Sequence, residues 1–268
     1  MSYINLPKIG LGTMQTNSKK ARGALVEGLK YGFRFIDTAQ MYLNEKTVGL
    51  AIKESGISRD EFTVATKLWI SNYKPEKVLR SVNKSLKRLQ LETIDIFYLH
   101  WPWKFDKIES TFKAMDKLVE KGAIKHIGVS NFTPKQIEKS LTYTQNHIVA
   151  NQVEMHPWLQ QKELLATLKK NKIHLVAYFP LMHGRFNSVS ELLQIAEKHG
   201  VSPAQVSLAW IMSKDAIPIP KSANIEHLKS NYDSLKLKLT KDEIKLIDSI
   251  ETVKRYANFP IIAPDWEN

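Results

Sequence analysis

The sequence contains no cysteine. That excludes disulfides, thiolate nucleophiles and Cys-ligated zinc or iron-sulfur centres, so any redox chemistry has to come from a bound cofactor. No run approaches ~18 uninterrupted apolar residues, and the opening MSYINLPKIG lacks the basic segment and apolar stretch of a secretory leader. A cytoplasmic protein with no membrane partner is expected. The one Gly-x-Gly that follows a strand-like run, Gly10-Leu11-Gly12, continues Thr13-Met14-Gln15 and never reaches a third glycine. The dinucleotide fingerprint of a doubly wound sheet is therefore missing, although a nucleotide bound in another way is not excluded. Acidic residues are in deficit, 27 Asp and Glu against 39 Lys and Arg, which leaves a net charge of +12. That balance favours anionic partners. Its basic residues (Lys19-Lys20, Lys169-Lys170, Lys236, Lys238, Lys241) are scattered and form no basic-aromatic module, so no nucleic-acid partner is expected.

What is present is an ordinary globular composition, 43% hydrophobic and 25% charged over 268 residues, with a mean hydropathy of −0.30. Strand-like runs recur at Ile9 to Thr13, Phe33 to Asp37, Phe62 to Leu68, Ile94 to His100, Ile124 to Val129, Ile148 to Glu154, His174 to Phe179 and Ala216 to Pro220. Each is followed by a helical pattern, the signature of parallel βα units. Thr133-Pro134 and Ser202-Pro203 read as an N-cap followed by proline at the first helical position, Ser188 with Glu191 has capping-box spacing, and Gly200 reads as a C-cap. A further helix near 240–251 starts at Thr240 with Glu243 three residues on, before an irregular tail, Tyr256 to Asn268. No linker divides the chain. Eight units in a chain of about this length predict an α/β fold, a (β/α)8 TIM barrel forming a single domain over 1–268.

In such a barrel the chemistry sits where strands end. That filter selects Thr13, Asp37, Lys67, His100, Ser130-Asn131, Gln152, Glu154, Tyr178 and Lys221-Ser222, with Tyr42 on the loop after the second strand. A lysine ending the apolar run FTVATKLW has no route to bulk water, and Asp37, ending FRFID, is its natural partner. An ammonium about 4 Å from a phenol favours phenolate by about 4 kcal/mol at an effective dielectric near 20, so Lys67 is expected to lower the Tyr42 pKa by up to ~3 units. Tyr42 then becomes a usable general acid. His100 closes IDIFYL and precedes Trp101-Pro102-Trp103, so its ring is expected to face an aromatic-walled cavity, positioning a carbonyl. A zinc site from His100, Glu154 and His156 has no recognisable spacing, and no metal is expected.

These residues fall into segments that resemble one family: Gly10-Leu11-Gly12-Thr13, Asp37-Thr38-Ala39-Gln40-Met41-Tyr42, Thr66-Lys67-Leu68-Trp69, His100-Trp101-Pro102, Gly128-Val129-Ser130-Asn131-Phe132, Asn151-Gln152-Val153-Glu154 and Ile219-Pro220-Lys221-Ser222. In order along the chain, from about Pro7 to at least Asn231, they resemble the aldo-keto reductases. The short loops and tail are most similar to its small microbial 2,5-diketogluconate and methylglyoxal reductase branch. The resemblance implies a catalytic tetrad of Asp37, Tyr42, Lys67 and His100 that reduces a small aldehyde, 2-oxoaldehyde or keto sugar with NADPH. It places Thr13 and Asp37 among the cofactor contacts, with Ser130, Asn131 and Gln152 on the carboxamide and Tyr178 stacked on the nicotinamide. Leu181 and Arg185 lie where the family covers the pyrophosphate, and Lys221, Ser222 and Asn231 where it binds the 2′-phosphate and adenine. Met14, Trp69, Trp101, Trp103 and Phe105 would wall the substrate pocket, with Trp266 as a lid.

Three positions depart from the family's pattern. Phe179 stands where the family has a serine after the stacking tyrosine, His227 where it often has arginine, and Ser230 where it usually has glutamate. Neutral histidine cannot grip a phosphate as arginine does, which weakens selectivity, while Lys221 still favours the phosphate, so NADPH is expected to be preferred with NADH used less efficiently. Two rivals are a nicotinamide-binding regulatory subunit with little turnover, and a Schiff-base aldolase built on Lys67, against which the paired Asp37 argues.

Overall fold

Residues 4–266 are described by a computed structural model. Its strands are Leu11–Gly12 (β1), Phe35–Asp37 (β2), Thr63–Leu68 (β3), Ile94–Leu99 (β4), Ile124–Ser130 (β5), Ile148–Glu154 (β6), His174–Tyr178 (β7) and Ala216–Pro218 (β8). Each pairs in parallel with the next, in the order of the chain. Closure follows from two backbone bonds, Gly10 N–H to the Pro218 carbonyl at 2.9 Å and Gly12 N–H to the Pro220 carbonyl at 3.0 Å. The chain is thus the expected (β/α)8 barrel.

Several strands are shorter than the sequence pattern predicts. The last ends at Pro218, two residues before Pro220, because a proline brings no N–H to the ladder. Its carbonyl still accepts, and this is what β1 uses. Gly12 allows the close approach: a Cβ there would lie 2.7 Å from the Ile219 carbonyl oxygen. The first strand therefore keeps only Leu11 and Gly12 of the expected Ile9 to Thr13, while β5 runs one residue further, to Ser130.

The helices are Lys19–Tyr31 (α1), Glu45–Ser55 (α2), Pro75–Leu89 (α3), Glu109–Glu120 (α4), Pro134–Ser140 (α5), Lys162–Lys170 (α6), Ser190–His199 (α7), Pro203–Ser213 (α8), Ile225–Asp233 (α9) and Lys241–Asp248 (α10). Capping boxes start three of them, Thr133 with Gln136, Ser202 with Gln205 and Thr240 with Glu243, each satisfying two N–H groups the helix leaves unpaired. Gly200, at φ +62°, closes α7 as expected. The expected box of Ser188 and Glu191 does not form. Ser188 ends a 3-10 turn that follows a kink at His183 and Gly184, so α7 begins one residue later behind Val189 and has no side-chain cap. The last helix is shorter than the predicted 240–251, ending at Asp248. Beyond it the irregular tail is described to Trp266; Glu267 and Asn268 lie outside the described residues, as do Met1 to Tyr3 of the leader reading.

Alternation along the strands divides the core into two shells. On β4, Phe97 and Leu99 pack outward under the helices, while Ile96 and Tyr98 point inward with Phe35, Val176 and Ile217 to fill the barrel. Burial of each such side chain contributes about 1.5–3 kcal/mol. Gly128 makes room for the inward Tyr98, whose ring would lie 2.5 Å from a Cβ there. Register then sets Gly12 beside Asp37, Ser130 beside Gln152 and Glu154 beside Tyr178, bringing the polar strand ends to one rim.

Candidate active site

Lys67 is fully buried at the end of β3, and its position follows from strand alternation: it points inward, where no water competes for the ammonium. Its Nζ lies 2.6 Å from Asp37 Oδ1, donates to the Thr38 carbonyl at 2.9 Å and stands 3.4 Å from the Tyr42 hydroxyl. The other Asp37 oxygen accepts from Gln152 Nε2 at 2.7 Å, so the carboxylate is occupied on both sides. Burial alone would lower the Lys67 pKa, but Asp37 and Tyr42 outweigh it and the net direction is upward. The ammonium keeps its charge.

Tyr42 corrects an expectation. Burial raises its pKa by more than Lys67 lowers it, and Asp37, on the far side of the ammonium, raises it further. A lysine shared with a carboxylate offers a phenol less than an isolated cation would. The Tyr42 hydroxyl therefore holds its proton above the ordinary range. His100 moves the other way: burial first, and Lys67 second, push its imidazole well below the usual value. It is neutral at physiological pH, and its Nδ1 has no hydrogen-bond partner among the described residues. Tyr42 and Trp69 stand edge-on to that ring, with centroids 6.1 and 5.3 Å away.

These groups open into a cavity of about 760 Å³. Thr13, Asp37, Tyr42, His100, Ser130, Asn131, Gln152 and Tyr178 are polar residues of its lining, Met14, Trp69 and Trp101 apolar ones, and Leu181 and Lys221 line it too. The amide groups are tied into one chain of hydrogen bonds. Tyr178 donates to Asn131 Oδ1 at 2.7 Å, Asn131 Nδ2 donates to the His100 carbonyl at 3.1 Å, and Ser130 donates to the Gln152 carbonyl at 2.8 Å. Asn131 sits at φ +66°, a left-handed conformation that asparagine tolerates. Thr13 donates to the Asp37 carbonyl at 2.9 Å, fixing β1 against β2 under the cavity.

Other expected residues stand apart from the wall. Trp103 and Phe105 pack against the outer core, and Ser222 accepts from the Asn224 N–H at 3.0 Å. Asn231 is buried within α9. Arg185 turns its guanidinium over the Tyr256 ring at 5.4 Å. Trp266 meets Trp101 edge-on at 6.5 Å and lies under the Arg255 guanidinium at 3.7 Å. Of the departures, Phe179 and His227 both line the cavity. Phe179 takes φ +49°, which is unusual for a bulky residue, and its ring meets His183 at 4.0 Å. The sequence reading missed His183, Phe186, Ala257, Phe259 and Ile262, which also line it. No motif marks them; they arrive from a loop and a tail. Among the described residues no group of three His, Asp or Glu is placed to hold a metal, and no helix is long and apolar enough to cross a membrane.

The closed barrel thus sets a buried Lys–Asp pair beside a tyrosine hydroxyl, with a neutral histidine close by. The aldo/keto reductase family model matches residues 8–252, and the chain belongs to that family of oxidoreductases, in its small microbial branch. It is 39% identical over 258 residues to the glyoxal reductase of Bacillus subtilis, covering 96% of this chain and 93% of that protein. It is 35% identical to the methylglyoxal reductase DkgB of Escherichia coli O157:H7, over 98% of this chain and 99% of the other. Among solved structures, the aldo-keto reductase MGS-M4 from a Medee basin deep-sea metagenome library superposes with a TM-score of 0.92 at 38% identity, covering 95% of both chains.

Proposed function

We propose that this protein is an NADPH-dependent reductase of small aldehydes, 2-oxoaldehydes and keto sugars. The observation that carries the reading is the Tyr42 hydroxyl, 3.4 Å from a buried ammonium that is itself 2.6 Å from a carboxylate, facing a cavity shared with a neutral imidazole. The residues suit a nicotinamide nucleotide: a tyrosine ring, three amide or hydroxyl side chains beside it, and Lys221 along the same cavity for an anionic end. When bound, the reduced nicotinamide supplies the hydride.

The chain's own residues do the rest. His100, neutral, hydrogen-bonds the carbonyl oxygen and orients the carbon toward Tyr178. Tyr42 gives its proton to that oxygen as negative charge develops there. Lys67 stabilises the phenolate left behind, and Asp37 keeps Lys67 charged and aimed. Ser130, Asn131 and Gln152 hold the carboxamide, while Trp69 and Trp101 exclude water around the carbonyl.

Relatives named for glyoxal and methylglyoxal support 2-oxoaldehydes as substrates. Lys221 on the cavity wall supports NADPH preference, and His227 in place of an arginine weakens it enough for slower NADH use. The test is NADPH oxidation, followed by absorbance, with methylglyoxal, glyoxal and small keto sugars, repeated with NADH. Turnover with higher kcat/KM for NADPH is expected. Tight NADPH binding without turnover would shift the reading to a regulatory subunit, and borohydride trapping of substrate on Lys67 would shift it to an aldolase.

A further inference from the structure

Glu154 ends β6 with a carboxylate that the proposed chemistry does not use, yet it is fully buried. Its Oε1 accepts from His156 Nε2 and from the Tyr256 N–H, both at 2.8 Å, and its Oε2 accepts from the Ala257 N–H at 2.7 Å. Two of these donors are main-chain groups of the tail, 102 and 103 residues away in sequence. Burial alone would raise the carboxyl pKa, but His156 and the two tail N–H groups outweigh it and hold it below the usual value. A buried carboxylate satisfied mainly by another segment's backbone is a clamp on that segment.

The clamped segment runs directly into the cavity. Ala257, Phe259 and Ile262 form part of its wall, and Phe259 faces Trp101 edge-on at 5.6 Å. Past the clamp, Phe259 and Ile261 are 53% and 79% exposed, the N–H groups of Ile262 and Ala263 bond back to the Phe259 carbonyl, and Trp266 ties the end of the tail to Trp101, Arg255 and Asn258. Glu154 thus fixes the backbone from which the wall starts, at Tyr256 and Ala257.

We propose that Glu154 is a positioning residue for substrate selection: by holding the backbone of Tyr256 and Ala257 it places Phe259 and Ile262 as the outer apolar wall, and so sets the preference for carbonyl compounds with an extended apolar group. The proposal rests on the reading of the cavity as a carbonyl-reductase site. A three-carbon dicarbonyl is small beside a cavity of about 760 Å³ and is expected to bind at Tyr42 and His100 independently of this wall, whereas an aromatic aldehyde is expected to extend onto it.

The test is Glu154→Gln, in which the amide NH2 faces a donor and leaves at least one clamp bond unmade. KM and kcat are measured with 4-nitrobenzaldehyde and with methylglyoxal, NADPH affinity by fluorescence, and tail release by trypsin cleavage after Lys254 or Arg255. The expected result is a KM for the aromatic aldehyde raised about tenfold, with its kcat and the methylglyoxal KM within about twofold, since apolar pocket contacts carry differences of that order. NADPH affinity stays unchanged and tryptic cleavage becomes faster. The pair Phe259→Ala and Ile262→Ala raises the same KM, and adding Glu154→Gln to it changes that KM by less than about twofold, because both act through one wall. Equal losses for both substrates, an unchanged aromatic KM, or an additive effect in the triple variant would overturn the proposal. Should Glu154→Gln fail to fold, the Phe259 and Ile262 pair decides: an unchanged aromatic KM overturns it. Absence of turnover in the unmodified enzyme would count against the reductase reading alone, and the trypsin comparison would still read the clamp.

Discussion

At the scale of single residues, Lys67 joins Asp37, the Thr38 carbonyl and Tyr42 around one buried ammonium. Replacing it by methionine leaves Asp37, 2% exposed, with only Gln152 as a side-chain partner. Lys67→Met is therefore expected to lower stability by about 3–5 kcal/mol at neutral pH, as an orphaned buried charge does. Asp37→Asn added to it should recover much of the loss, which urea denaturation of the single and double variants checks. The upward pKa of Tyr42 carries a pH prediction. An acid must be protonated to act, so a raised phenol keeps the donor intact and kcat for reduction stays flat from about pH 6 to about 9, falling only where the phenol ionises. The neutral state of His100 persists across the same window, because its pKa lies below the usual histidine range. A pH profile of kcat with a decline centred near neutrality would contradict both directions. The identities of Asp37, Lys67 and His100 were legible because each ends a short apolar run, and Tyr42 through its place on the loop after β2. The direction of the Tyr42 shift was not: it depends on how deeply three residues from different strands are buried together.

Helices and segments were legible where their signals are local. Thr133, Ser202 and Thr240 cap their helices with partners three residues on, a spacing the sequence displays directly. Ser188 shows the same spacing with Glu191 and fails, because the preceding 3-10 stretch takes Ser188 for itself. The tail was the least legible element: two of its N–H groups bond to Glu154, 102 and 103 residues away, and no pattern within it announces those bonds. Glu243 offers a test at this scale. Its Oε1 accepts from Lys198 at 2.7 Å and His199 at 2.9 Å, and its Oε2 from the Thr240 N–H at 2.8 Å. Burial raises its pKa, but these three donors outweigh it and lower the value to about 2. With the folded value depressed, the stabilisation is fully present above the ordinary carboxylate range and disappears as pH falls toward that value. Glu243→Gln is expected to cost about 1 kcal/mol near pH 7, as loss of a helix cap does, and the cost should shrink between about pH 5 and about pH 2. Denaturant titrations of both proteins at several pH values measure it.

For the whole molecule, the barrel was legible because alternation of short apolar runs with capped helices is a repeated pattern, and eight repeats leave little choice of architecture. Its strand lengths were not, since closure through Gly10 and Gly12 onto the carbonyls of Pro218 and Pro220 is a contact between the first and last strands, far apart in the chain. The net charge of +12 also acts at this scale, favouring anionic ligands near a cavity that carries Lys221. Raising salt is expected to weaken NADPH binding more than NADH binding, and Lys221→Gln should reduce that difference, as read by the two dissociation constants at low and high ionic strength.

The most direct measurement is a single-turnover reduction of methylglyoxal by NADPH-saturated enzyme, comparing the unmodified chain with Tyr42→Phe. With Tyr42 as the proton donor, the variant binds NADPH unchanged and loses about 10²–10⁴-fold in the rate of NADPH oxidation, the usual contribution of a positioned acid. A variant that oxidises NADPH at the unmodified rate would contradict the assignment of the proton to Tyr42, and with it the role given to the buried Lys67 and Asp37 pair.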